Sequence, residues 1–220
     1  MSKIKSFLSY NIRKIETIFY STFFYKNRTI ICITGCGRSG TTFSAQVLRQ
    51  MGLNIGHERL RKNGISSWYL VSKNKKVQLG SSLYDLRKMN KVIIHQVREP
   101  LASISSMLST GSPSWKFLSK EIPISIENDS KILRAMKYYY YWNLQTEDIA
   151  DVRIKAENFL QEIEKTLMKF QVEFNSNKVT ITKGSMVNTR KHDKLTWSNL
   201  KNEDEVLAEK ISLLGKKYGY

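Results

Sequence analysis

The sequence predicts an α/β fold in which helices cover both faces of a central parallel sheet, and three observations carry that expectation. Thr29-Ile30-Ile31-Cys32-Ile33-Thr34 is a short β-branched and apolar run, the pattern of a strand buried on both faces. Glycines follow at once, and Phe43, Val47, Leu48 and Met51 then recur on one helical face until Gly52 stops them. The same unit returns at Lys91-Val92-Ile93-Ile94-His95-Gln96-Val97, which ends on Arg98-Glu99-Pro100 before a helix over 101–108. Strands alternating with helices require a parallel sheet with its crossovers packed on its faces.

Taken in order, residues 1–28 come first. Lys3, Lys5, Arg13, Lys14, Lys26 and Arg28 stand there against Glu16 alone, while Ile4, Phe7, Leu8, Ile15, Ile18, Phe19 and Phe23 recur at helical spacing. This is a basic amphipathic helix. Such a helix either lies on an anionic membrane surface, with residues 1–25 as a peripheral contact, or packs its apolar stripe on its own domain; the pattern serves both. Residues 57–90 and 109–128 have little periodicity and are expected as loops and short elements that cover the site. A long helix follows over 130–149, capped by Asp129 or Ser130 and carrying the aromatic block Tyr138 to Trp142. Val152-Arg153-Ile154 is a short strand, 157–170 a helix and Lys178-Val179-Thr180-Ile181 a last candidate strand. Helices near 196–202 and 203–217 close the chain. No repeat or linker divides it, so the expected organisation is an N-terminal helix over 1–28 and a single domain over 29–220.

Composition narrows the function classes. With 41% apolar and 25% charged residues, 11 Gly and 3 Pro among 220, disordered, collagen-like and mucin-like readings fail. Cys32 and Cys36 form no CxxC pair and have no histidine nearby, so neither a disulfide framework nor a zinc site is expected. Reduced thiols, no cleavable leader and no run of roughly 20 apolar residues point to a cytoplasmic protein, soluble or peripheral on a membrane. Net charge is +17, which asks for an anionic partner.

The cations are organised around glycine loops. Gly35-x4-Gly40 followed by Thr41-Thr42 has the frame in which successive backbone N–H groups and a helix N-terminus cradle an anion. A kinase or NTPase loop would place Lys where Thr41 stands; here the cation is Arg38, inside the loop. Phosphoryl-transfer enzymes also need an acid at a strand end to hold Mg²⁺, whereas the second strand ends on Arg98. A positive charge at the carboxyl edge of a parallel sheet suits a second phosphate, and Ser106 can return to that anion from the following helix. A nucleotide or nucleoside kinase is therefore the weaker alternative. A non-enzymatic basic module for nucleic acid or membrane is another, and no nucleic-acid partner is expected because no DNA- or RNA-reading signature accompanies the charge.

These residues resemble the PAPS-dependent sulfotransferases. Gly35 to Thr42 looks like that family's 5′-phosphosulfate loop, and Arg98, Pro100 and Ser106 look like its 3′-phosphate motif, an Arg with Pro two on and Ser eight on. The likeness covers about residues 29–110 and continues weakly to about 200. It implies a P-loop-like fold, the cofactor 3′-phosphoadenosine 5′-phosphosulfate (PAPS) and no metal. By carry-over, Gly37, Arg38, Ser39, Gly40, Thr41 and Thr42 would hold the 5′-phosphosulfate, Phe43 would stack on adenine or fill the helix core, and Arg98 and Ser106 would hold the 3′-phosphate. Arg38 replaces the cytosolic branch's Lys, as in the carbohydrate and tyrosylprotein branches. Arginine stays protonated, so its expected role is to stabilise charge on the leaving phosphate.

The cytosolic branch's base is a histidine about twenty residues before the second motif's Arg, and residues 71–80 contain none. Gly56-His57-Glu58 lies twenty residues past Arg38, where tyrosylprotein sulfotransferases resemble this chain in placing a catalytic Glu. Glu58 is the expected base and His57 its rival. Near the C-terminus, Asn188-Thr189-Arg190-Lys191-His192 with Leu195-Thr196-Trp197 looks like the basic segment relatives fold over the 3′-phosphate, though without their Arg-Lys-Gly signature. Arg190 and Lys191 are thus expected cofactor contacts. The expected activity is sulfuryl transfer from PAPS to an acceptor hydroxyl, with a carbohydrate or glycolipid as the leading acceptor.

Overall fold

The computed structural model describes residues 29–73, 89–175 and 194–220, together with isolated positions 11, 12, 15, 19, 86 and 179. Of the predicted N-terminal helix, Asn11, Ile12, Ile15 and Phe19 are described and helical, with the last three exposed. The rest of residues 1–28, most of the candidate strand at 178–181, and Arg190 and Lys191 lie outside the described residues.

Among the described residues, five strands form one parallel sheet: β1 (Ile30–Thr34), β2 (Ile55–His57), β3 (Gly64–Ser66), β4 (Lys91–Val97) and β5 (Val152–Lys155), in the order β2-β3-β1-β4-β5. The register sets Thr34 opposite His95, Ile33 opposite Ser66, and His57 opposite Ser66, so the carboxyl ends of β1 to β4 share one edge. The chain leaves β1 for one side and returns on the other. Beyond β1 and β4 there is consequently a crevice at a reversal of strand order, the usual ligand position in open α/β sheets.

Helices α1 (Thr41–Gln50), α2 (Pro100–Met107), α3 (Ser112–Leu118), α4 (Lys131–Glu147), α5 (Phe159–Lys169), α6 (Trp197–Glu203) and α7 (Glu205–Lys217) fill the outer layers. Alternation along the strands allots the faces. Ile31 and Ile33 of β1 and Val92 and Ile94 of β4 pack with Ala45, Val47 and Leu48 of α1 and Phe159, Ile163 and Leu167 of α5. The opposite side chains, Ile30, Cys32 and Ile93, meet Leu60, Ile65, Leu70 and Met89. A third cluster joins α2, α4 and α7 through Ile104, Tyr139, Trp142 and Ile211.

Local chemistry explains the helix ends. The Glu99 carboxylate accepts the N–H groups of Leu101 and Ala102 and Pro100 opens α2, so this helix begins one residue earlier than periodicity suggests. Ser130, rather than Asp129, caps α4 by accepting from Leu133 N, while Asp129 pairs with Lys137 at 2.8 Å. A 3₁₀ turn over Ala156–Asn158 delays α5. Strands β2 and β3 fall partly in a stretch expected as loops and short elements, and three residues are too few for a periodic signal that would identify them as strands. Helix α3 fills part of the other such stretch.

Candidate functional site

A cleft of about 440 Å³ opens at the carboxyl edge of the sheet, lined by the glycine loop, His57 at the end of β2 and Glu58 after it, Trp68 after β3, Arg98 after β4, Tyr138 of α4 and the Ser109–Gly111 turn. The loop runs from Gly35 into α1. Gly40 takes φ +98 as N-cap, and a Cβ there would meet the buried Gln96 amide at 2.9 Å. Gly37 needs its missing side chain for a different reason: a Cβ would lie 2.6 Å from the Tyr138 hydroxyl. The first-turn N–H groups of α1 therefore face the cleft with their positive dipole end.

Arg38 also adopts a left-handed backbone, φ 71, which a side chain tolerates only when neighbours hold it there. Its Nε–H donates to Ser106 Oγ at 2.8 Å, and Arg98 Nη1–H donates to its carbonyl at 3.1 Å. Residues read from the sequence as two separate anion motifs are thus one hydrogen-bonded unit. Ser106 is buried behind Arg38 and does not line the cleft. Ser39 is fully buried, its Oγ without a hydrogen-bond partner, and its N–H donates to Cys36 O at 3.2 Å; its side chain is turned away from the cleft. Gly37, Arg38, Gly40, Thr41, Thr42, Phe43 and Arg98 all line it. Phe43 does so while packing edge-on against Phe159, with ring centroids 6.3 Å apart.

The opposite wall carries the acid. Glu58 is half-buried with φ 54; Trp68 Nε1–H donates to its Oε1 at 3.2 Å, and the Tyr69 hydroxyl donates to its carbonyl at 2.7 Å. Trp68 is held in turn by Trp142, whose Nε1–H donates to its carbonyl at 2.7 Å. His57 Nε2 and Thr42 Oγ1 are hydrogen-bonded at 3.0 Å, which ties this wall to α1. Burial lowers the His57 pKa, the Glu58 charge opposes that and Arg49 adds to it, so His57 is neutral at pH 7.

Beneath the loop, His95 is fully buried, bonded through Nε2 to Asn143 at 3.0 Å and set edge-on to Tyr218. Burial pushes its pKa down to about 4 and pushes the Cys32 and Cys36 thiols up to about 12. Neither cysteine is a thiolate at neutral pH. After the undescribed stretch, Leu195 N–H donates to Ser105 Oγ at 2.9 Å, bringing the C-terminal segment back beside α2. Trp68 and the Ser109–Gly111 turn lie in the stretches expected to cover the site, though the sequence singles out no residue of either, and Tyr138 comes from the aromatic block of the long helix. Gly111-Ser112-Pro113 did carry a local signal, since Pro in a first turn starts a helix.

Arg38 and Arg98 on one wall and Glu58 with a neutral imidazole on the other suit an anionic group held by the loop and a proton acceptor facing it. Among the described residues no group of three or more His, Cys, Asp or Glu could hold a metal ion, and no helix is long and apolar enough to cross a membrane. Comparison with known proteins returns no matching family model, no matching curated protein and no matching solved structure.

Proposed function

We propose that this chain is a sulfotransferase that takes PAPS as donor and a hydroxyl, on a carbohydrate or glycolipid, as acceptor. The observation that carries the reading is the Arg98–Arg38–Ser106 unit, which couples the two motifs that resemble the family's phosphate sites at the mouth of one glycine loop, across a cleft from Glu58. The donor set fits the group: two guanidiniums and backbone N–H groups suit anionic oxygens, and the loop's closeness to Tyr138 and Gln96 leaves no room for larger residues. PAPS supplies the transferable sulfuryl group.

In this reading Glu58 takes the acceptor proton as the acceptor oxygen bonds to sulfur. Arg38 neutralises the phosphate oxygen that keeps the electron pair of the breaking S–O bond. Trp68 and Tyr69 hold Glu58 in place, so little reorientation is needed at the moment of transfer. Glu99, the acid beside Arg98, is committed to capping α2, which weighs against a kinase arrangement.

Thermal shift tests the proposal. Adenosine 3′,5′-bisphosphate should stabilise the protein without added metal, by about 2.7 kcal/mol at a hundredfold excess over Kd, and AMP far less. Equal shifts from the two nucleotides, or a response confined to ATP with Mg²⁺, would overturn it.

A further inference from the structure

Tyr138 belongs by sequence to an aromatic block that fills a helix core, yet it lines the cleft. Its ring is fixed edge-on by three tryptophans, Trp142 at 5.5 Å and Trp68 and Trp115 each at 6.0 Å, and the residue is 2% exposed. The hydroxyl cannot swing away. Its oxygen accepts the Gly37 N–H at 2.8 Å, and the phenol still carries its own proton. Among the described residues no group accepts that proton. Burial, with the Glu58 charge adding to it, holds the phenol pKa well above 10, so the group stays a neutral donor.

The hydroxyl stands between the two walls: on one side it is bonded to the loop, and on the other its ring packs against Trp68, which donates to Glu58. Tyr138 and Glu58 line the same cleft as the loop. Accepting from Gly37 polarises the O–H and makes it a stronger donor. A sulfuryl group spreads one negative charge over its outer oxygens, which a neutral polarised O–H can meet without adding a third positive charge to the cleft.

Resting on the function proposed above, we infer that Tyr138 is a ligand-binding residue whose hydroxyl donates to a sulfuryl oxygen of bound PAPS, so that the cleft distinguishes the loaded cofactor from the spent adenosine 3′,5′-bisphosphate. The spent nucleotide lacks the group this proton reaches, so it binds less tightly and leaves after transfer. The phosphate contacts through Arg38 and Arg98 are common to both.

Calorimetric titration of wild type and Tyr138→Phe with each nucleotide tests this. PAPS affinity should fall about 10- to 100-fold in the variant, as for a lost hydrogen bond to a charged group, while bisphosphate affinity changes less than about threefold. An equal loss for both nucleotides would mean that Tyr138 only shapes the loop, and unchanged PAPS affinity would mean that its hydroxyl makes no such contact; either overturns the inference. Wild type that binds neither nucleotide overturns the sulfotransferase reading itself. Should Tyr138→Phe not fold, 3-fluorotyrosine at 138 keeps the hydroxyl: its ¹⁹F resonance should move with PAPS and not with the bisphosphate, and equal movement with both overturns the inference.

Discussion

The two walls of the cleft are built by different means. The loop wall is largely backbone: six consecutive residues from Gly35 to Gly40 turn between β1 and α1. The Glu58 wall is made of side chains from separate segments, with Trp68 holding the carboxylate, Trp142 holding Trp68, and Thr42 reaching across to His57. Backbone N–H groups bind anions of many shapes, whereas a carboxylate held by an indole N–H, on a backbone held by a phenol, has one orientation. The difference divides the labour between holding a charged group and moving a proton.

If that division is right, the largest effect comes from the acid. Glu58→Gln keeps an oxygen for the Trp68 N–H but removes the proton acceptor, so kcat should fall about 10²–10⁴-fold with cofactor affinity little changed. Labelled sulfuryl transfer from PAPS, to an acceptor found by screening glycan hydroxyls, measures it. Activity that survives within a few fold while His57→Ala collapses would move the base to His57. The walls would keep their roles and exchange residues.

The loop wall should answer in binding instead. Arg98→Ala removes a cation and the Arg38 carbonyl's partner, and adenosine 3′,5′-bisphosphate should bind about 1.5–3 kcal/mol more weakly by calorimetry. Ser106→Ala should cost less, since Ser106 reaches the cleft only through Arg38. A larger fall in turnover than in affinity for Arg98→Ala would erase the contrast between the walls.

The smallest effect sharpens the comparison from below, where His95 supports the loop wall. Its folded pKa, about 4, lies below the ordinary histidine value of 6.5, so the unfolded chain binds a proton first as pH falls. Stability is therefore full above about 6.5 and is lost as pH drops from there to about 4, by at most about 1.4 kcal/mol per unit. Urea unfolding at pH 6.5, 5.5 and 4.5 measures the slope, and His95→Gln should flatten it. A slope unchanged in that variant would assign the acid sensitivity to other groups.

Much of the fold was legible. The strands at 30–34 and 91–97 are continuous apolar runs because both faces are buried, and Phe43, Val47, Leu48 and Met51 mark one face of the helix after the glycine loop. Strands β2 and β3 were not legible: Ile55-Gly56-His57 and Gly64-Ile65-Ser66 owe their pairing to the neighbouring strand, not to a pattern of their own. Ser39 is grouped with the loop's ligand residues by carry-over from the family resemblance. Spacing does not say which way a side chain turns, and this one turns into the protein.

By itself the sequence determined the local geometry: the glycine loop between a buried strand and a helix, the cation within it, the arginine at the next strand end and the acid after Gly56. These follow from φ/ψ allowance, hydrophobic period and capping, which act over a few residues. Only the tertiary structure decided that Arg38 donates to Ser106 across 68 positions of chain, that Tyr138 meets Gly37 across 101, and that Trp68 and Glu58 form one wall. Contacts of that span depend on strand order and on the packing of α4 across the sheet edge. No short-range propensity encodes them, because any helix with the same apolar stripe satisfies the local pattern equally well.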